Sequence, residues 1–231
     1  MGTIRMKMVG GEMLALAGGI AFSPIPIAAV ILILMTPQGR RNSLAFVIGW
    51  LLGLSALLLS VILVVGRIDA AGGPRFPWIG PSLQVLFGLF LWSLAFRIWR
   101  SRPRSEESEK TPVWMEKLDQ FGWAKSLSLA VVLGVANLKN LPITVQAGIL
   151  VSRGPEWGGG RCWLILLFLA VGLLGVGAPL VVAALFPGRS DEVLRAWRRW
   201  LCCHNALVLS CLFFGIGAML LFKGGIALWP E

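Results

Sequence analysis

Charged side chains are scarce in this sequence. They make up 14% of its 231 residues, where an ordinary soluble domain carries roughly 25%. With 57% hydrophobic residues and a mean hydropathy of +0.80, this deficit excludes a water-soluble globular domain. Histidine is rarer still, with one residue, and there are four cysteines. The cysteines show neither a CxxC spacing nor the pattern of a disulfide framework. Cys202-Cys203-His204 is too small for a metal centre, which takes three or four converging ligands. No GxxxxGK[ST] loop is present, so the chain does not hydrolyse nucleotide itself. No carboxylate pair and no Cys–His pair lies inside an apolar run. We therefore expect no enzyme activity and no cofactor.

What the chain has instead is long apolar runs. Crossing a hydrocarbon core takes roughly 20 helical residues, and six stretches are long enough: 13–35, 44–66, 78–98, 125–151, 162–186 and 205–228. Single apolar runs satisfy their backbone in lipid only as helices. The predicted class is an all-α integral membrane protein with six transmembrane helices. The first run is too long for a secretory signal and lacks a convincing cleavage site. Trp78, Trp99, Trp114, Trp123, Trp163 and Trp229 stand near run ends, as in an interfacial belt.

The connections are short except for residues 101–122, which are polar and of mixed charge. They divide the chain into a first three-helix half (1–100) and a second (123–231). Residues 189–203 place Leu194, Trp197 and Leu201 at helical spacing among Arg195, Arg198 and Arg199, which predicts a short amphipathic helix on the membrane surface. The net charge of +10 fits anionic headgroups and topology control better than nucleic acid. Arg40, Arg41, Arg97, Arg100, Arg102, Arg104, Lys110, Lys117, Lys125, Arg189, Arg195, Arg198 and Arg199 fall on one side. Arg5, Lys7, Arg67, Arg75, Arg153, Arg161 and Lys223 fall on the other. The richer side is expected to be cytoplasmic. This places the linker 101–122 in the cytoplasm and both termini outside a plasma (inner) membrane.

Lys139 is the basic residue left within a run. An ammonium at the bilayer centre costs roughly 3 to 10 kcal/mol, so it faces protein or a water-filled cavity. Asn137, Asn140 and Pro142 surround it. Three spans per half imply an inverted repeat, in which interrupted helices build a midplane site. Phe22-Ser23-Pro24-Ile25-Pro26-Ile27 in span one aligns with Leu138-Lys139-Asn140-Leu141-Pro142-Ile143 in span four. The alignment sets Ser23 opposite Lys139. A proline removes a donor and clashes with the preceding turn. Pro24, Pro26 and Pro142 should therefore free the carbonyls of Ile20, Phe22 and Leu138. We expect helices one and four to be broken or kinked there and to line one polar cavity. Lys139, Asn137, Asn140 and Ser23 are the expected binding residues, and Gln146 and Thr144 lie within two turns. Gln84 and Ser93 are expected to bond across helices. Glu12, near the start of span one, is expected at the interface. The glycine groups Gly49/Gly53, Gly172/Gly175/Gly177 and Gly215/Gly217 are expected to serve helix packing.

The chain resembles the glycolipid-addressing, or sulfolipid-addressing, membrane proteins of actinobacteria, a branch of the lysine-exporter superfamily. The resemblance covers nearly the whole length. It rests on SPIPIAAVILILMTPQGRRNSLAFVIGWLLGL (23–54), WMEKLDQF (114–121), NLKNLP (137–142) and WLCCHNALVLSCLFFGIGAMLLFKG (200–224). It implies six spans in two inverted halves and a role in moving cell-envelope glycolipids toward the surface. The superfamily generally couples export to protons or sodium. The family pattern Asn-Pro-Lys-Asn has Leu138 in place of its proline here, which implies a softer break resting on Pro142.

The leading expectation is a transporter for cell-envelope glycolipids that binds an anionic headgroup near the midplane. Protons are a possible coupling partner through Lys139. A small-solute exporter of amino acids or ions would use the same site without a lateral opening. A non-transporting scaffold would recruit lipid-synthesis or export machinery through residues 101–122. The small-residue faces also suit a homo-oligomer.

Overall fold

Without water to pair with, an apolar chain must bond its own backbone, and the computed structural model is built of helices throughout its described residues. These are residues 2–71, 78–100, 122–137, 139–152, 159–186 and 190–229. The linker expected at 101–122 lies outside them except for Gly122, as does Leu138. The described helices are α1 (Gly2–Ala21), α2 (Pro24–Leu34), α3 (Gly39–Ala70), α4 (Ile79–Arg100), α5 (Trp123–Val135), α6 (Asn140–Ser152), α7 (Gly160–Leu185) and α8 (Ser190–Leu228).

Four stretches are long and apolar enough to cross a membrane unbroken: Gly39–Ala70, Gly80–Arg100, Gly160–Leu185 and Ala206–Leu228. Two further pairs qualify when joined across a bend. Val9–Ala21 meets Pro24–Leu34 at 50°, and Trp123–Val135 meets Asn140–Ser152 at 68°. With each bent pair counted as one span, the crossings number up to six, and the bends fall in the first and fourth, where the prolines predicted them.

The prolines sit one step away from where a mid-helix break would put them. Pro24 and Pro26 lie in the first turn of α2, and Pro142 in the first turn of α6. A first turn has no intrahelical partner for its N–H groups, so proline is tolerated there. The prolines thus start the second helix of each pair. The breaks themselves fall at Phe22–Ser23 and at Ala136, Asn137 and Lys139. Ser23 and Lys139 each directly precede the second helix, so the two residues aligned in sequence hold equivalent positions.

The core is a continuous apolar cluster. Met13, Leu16 and Ile20 of α1 join Phe46, Trp50 and Leu54 of α3, with Ile143 of α6 and Phe168 of α7. Helix α3 packs along α5, and α1 along α7. Helices α4 and α8 pair with each other more extensively than with the rest. The outer faces are as apolar as the core: Leu63, Leu86, Leu166 and Phe222 are exposed. That is the pattern of a multi-pass membrane protein. Trp78, Trp99, Trp123, Trp163 and Trp229 are exposed at helix ends; Trp114 lies outside the described residues.

One expectation is corrected. Residues 189–203 do not form a separate surface helix. From Ser190 the helix runs without interruption to Leu228. No Gly or Pro stands between 190 and 214 to stop it, and at 1.5 Å per residue it is about 58 Å long. Leu194 is buried against Ile31 and Ala183, which anchors this end to the bundle.

Candidate functional site

The junction of α1 and α2 is a short gap in the helical ladder, and every carbonyl around it can be followed to a partner. Phe22 N–H donates to Gly18 O (3.0 Å), the last regular turn. Ser23 N–H then turns back to Ala21 O (2.9 Å). Its regular acceptor, Gly19 O, is thereby released. Pro24 cannot serve Ile20 O, and Ser23 Oγ donates to it instead (2.7 Å). Pro26 cannot serve Phe22 O. Two carbonyls, of Gly19 and Phe22, are left without backbone partners. Buried backbone groups in this state are costly.

Lys139 supplies both. Its Nζ donates to Gly19 O at 2.7 Å and to Phe22 O at 2.8 Å. The side chain is 3% exposed. A cation is favoured at the C-terminal end of a helix, where the dipole is negative, and the end of α1 is such a place. The break in one bent pair therefore hands its lysine to the break in the other.

Asn137 fixes the turn that presents this lysine. Its Oδ1 accepts from Lys139 N–H (3.1 Å), a side-chain-to-backbone turn typical of asparagine. Its carbonyl accepts from the N–H groups of Asn140 (2.9 Å) and Leu141 (3.1 Å). Asn137 thus opens α6 and positions Lys139.

Asn140 and Thr144 are fully buried, and neither the Asn140 amide nor the Thr144 hydroxyl has a hydrogen-bond partner. They lie one turn apart on the stripe that continues to Gly148, which packs against Val61 and Ile62 of α3. Lys139 lies on the side facing α1, with Ile143 beside Gly19. The expected site residues therefore divide between two faces of α6. Such orphaned polar groups are uncommon in folded proteins and call for an explanation.

Gln146 belongs to a second polar cluster, two turns along α6 from Lys139. Its Nε2 donates to Glu12 (3.3 Å), and its Oε1 accepts from Gln84 Nε2 (2.9 Å). Glu12 is also ion-paired with Lys223. Gln84 bonds across helices as expected. Ser93 does not: its Oγ donates to Phe90 O in its own helix (2.8 Å). Glu12 is not a free carboxylate: its side chain is 15% exposed, and that of its partner Lys223 is 37% exposed. Their signal in the sequence was a lone charge near one end of an apolar run, with the partners on opposite termini of the chain.

The matching family model is described as Sap, sulfolipid-1-addressing protein, and it covers residues 13–225. The chain belongs to this family. The matched region contains both helix breaks, Lys139 and the Lys223 end of α8. No curated protein and no solved structure gives a significant match. Family and apolar helices together describe a membrane protein tied to glycolipid handling.

Proposed function

We propose that the protein moves cell-envelope glycolipids across or out of the membrane, with the paired helix breaks as its working centre. The carrying observation is the Lys139 ammonium shared by the Gly19 and Phe22 carbonyls. Charge-assisted bonds to an anionic oxygen are stronger than bonds to a neutral carbonyl. A phosphate, sulfate or carboxylate headgroup can therefore compete for this amine. Taking it would release the two carbonyls and loosen the joint between the bent pairs. In the closed arrangement Lys139 is a strut; in the loaded one it is the headgroup ligand. Unpartnered Asn140 and Thr144, on the neighbouring face of α6, support the reading only if the loosened joint turns that face toward the guest. The two halves would work as an inverted pair, with interrupted helices at the centre as in many secondary carriers. A proton leaving Lys139 on release from the headgroup would couple the cycle to proton flow.

The test is translocation of a fluorescent sulfated glycolipid in vesicles holding the purified protein, read by quenching from outside. Lys139→Ala is expected to abolish movement while the protein stays folded by circular dichroism. Movement at the wild-type rate in that variant rejects the proposed centre. Efflux of a trapped amino acid without glycolipid movement would move the reading to a small-solute exporter.

A further inference from the structure

Helices α4 and α8 pack closely along a row of glycines and leave a groove beside residues 89–99 of α4. Along that row, a Cβ added to Gly88 would meet Leu221 at 2.7 Å, and one added to Gly224 would meet Pro81 O at 2.8 Å. Glycine lets the two backbones touch there. Further along, Trp92 and Phe214 stack with ring centroids 4.6 Å apart and planes 6° from parallel. Trp92 Nε1 also donates to Phe214 O (3.0 Å). This pair forms part of the wall of a cavity of about 850 Å³, lined also by Leu89, Phe96, Trp99, Cys211 and Gly215 among others. That volume is in the range of ligand sites.

Its walls offer almost no polar group. Ser93 Oγ donates to Phe90 O (2.8 Å) and Ser210 Oγ to Ala206 O (2.6 Å), both within their own helices. From Leu89 to Trp99 the groove runs about 15 Å along α4 at 1.5 Å per residue. This is about half of a ~30 Å hydrocarbon core, the depth of one leaflet. The groove-side stripe Leu89, Ser93, Phe96 continues at helical spacing to Arg100. Arg100 is exposed in the last turn of α4, the turn that also holds Arg97. Trp99, at the same end, suits headgroup depth.

We propose that this groove is a binding site for one acyl chain of an anionic lipid, with the headgroup at Arg100. Length, apolar walls and a cation at one end match an amphiphile with a negative head and not a neutral one. The site rests on the lipid reading above and gives that reading a lateral point of entry, on the membrane face toward which α4 runs.

Gly215 provides the test, because a Cβ added there meets nothing within 4 Å although it lines the groove. The full-length protein is placed in vesicles with phosphatidylglycerol carrying a photoreactive group in its acyl tail. After illumination, adducts are mapped by mass spectrometry. Adducts are expected to concentrate on 89–99 and 210–215. They should be lost in Gly215→Phe and kept in Gly225→Phe, an exposed position of the same helix outside the groove. Arg100→Gln should reduce labelling to the level given by phosphatidylcholine with the same tail. Adducts spread evenly over all lipid-facing helices, or unchanged by Gly215→Phe, overturn the site. Disulfide dimers through Cys211 without lipid adducts would assign the groove to a second copy and also overturn it. Labelling needs no transport. Groove adducts without glycolipid movement would therefore leave this site standing and reject the transport reading alone.

Discussion

Lys139 completes the break opposite its own: its Nζ stands 2.8 Å from the carbonyl oxygen of Phe22, the acceptor that Pro26 cannot serve. One side chain thus ties the first bent helix pair to the second at the point where each has lost its ladder.

Replacing Lys139 with Met keeps the stem and removes the donor. The Gly19 carbonyl, which is buried, and the part-buried Phe22 carbonyl then lose a charged partner. The expected destabilisation is about 2–4 kcal/mol, read as a lower unfolding midpoint in detergent. Lys139→Arg retains the charge but spreads it over a planar fork, and it should recover part of the stability.

The double variant Pro24→Ala/Pro26→Ala restores N–H groups that can donate to the carbonyls of Ile20 and Phe22. The bend of 50° between α1 and α2 should then shrink. Spin labels placed on the two helices would report a longer end-to-end distance. Glycolipid movement is expected to fall even though backbone bonding has improved. An unchanged distance would mean that neighbours, and not the prolines, hold the bend.

Thr144→Val removes a buried hydroxyl that has no partner and keeps its shape nearly unchanged. Burying an unsatisfied hydroxyl costs about 1–3 kcal/mol, so the variant should gain about 1 kcal/mol in reversible unfolding. If the hydroxyl serves a passing headgroup, transport drops at the same time. Stability and activity moving in opposite directions is the expected signature.

Glu12→Gln and Lys223→Met each break the ion pair between α1 and α8. The pair is neither fully buried nor fully exposed, so each single change should cost about 1–3 kcal/mol, between the ranges for surface and buried pairs. The double variant should cost less than the sum, because no charge is left alone. Additive costs in this cycle would show that the two side chains do not act on each other.

The sequence made Lys139 and both breaks legible because a charge and clustered prolines stand out against an apolar run. It also matched Ser23 with Lys139, which hold equivalent positions before α2 and α6. Pro24 and Pro26 read as freeing the carbonyls of Ile20 and Phe22, and both are taken by side chains; what the sequence did not tell is that the same prolines begin the next helix. Asn137 read as a ligand; its side chain accepts from its own backbone two residues on. The partner of Glu12 was not legible, because nothing local reveals that Lys223 comes alongside it. Amphipathic spacing at 189–203 suggested a surface helix, but spacing alone does not say where a helix ends. The groove was not legible at all. It depends on how two helices pack around Trp92 and Phe214, residues 122 positions apart in the chain.

Helix α8 has one more consequence. One unbroken rod from Ser190 to Leu228 joins two fastenings, Leu194 seated on Ile31 and Ala183 at one end and Lys223 paired with Glu12 toward the other. The first bent helix pair is thus gripped by the same element at both of its ends, since Glu12 belongs to α1 and Ile31 to α2.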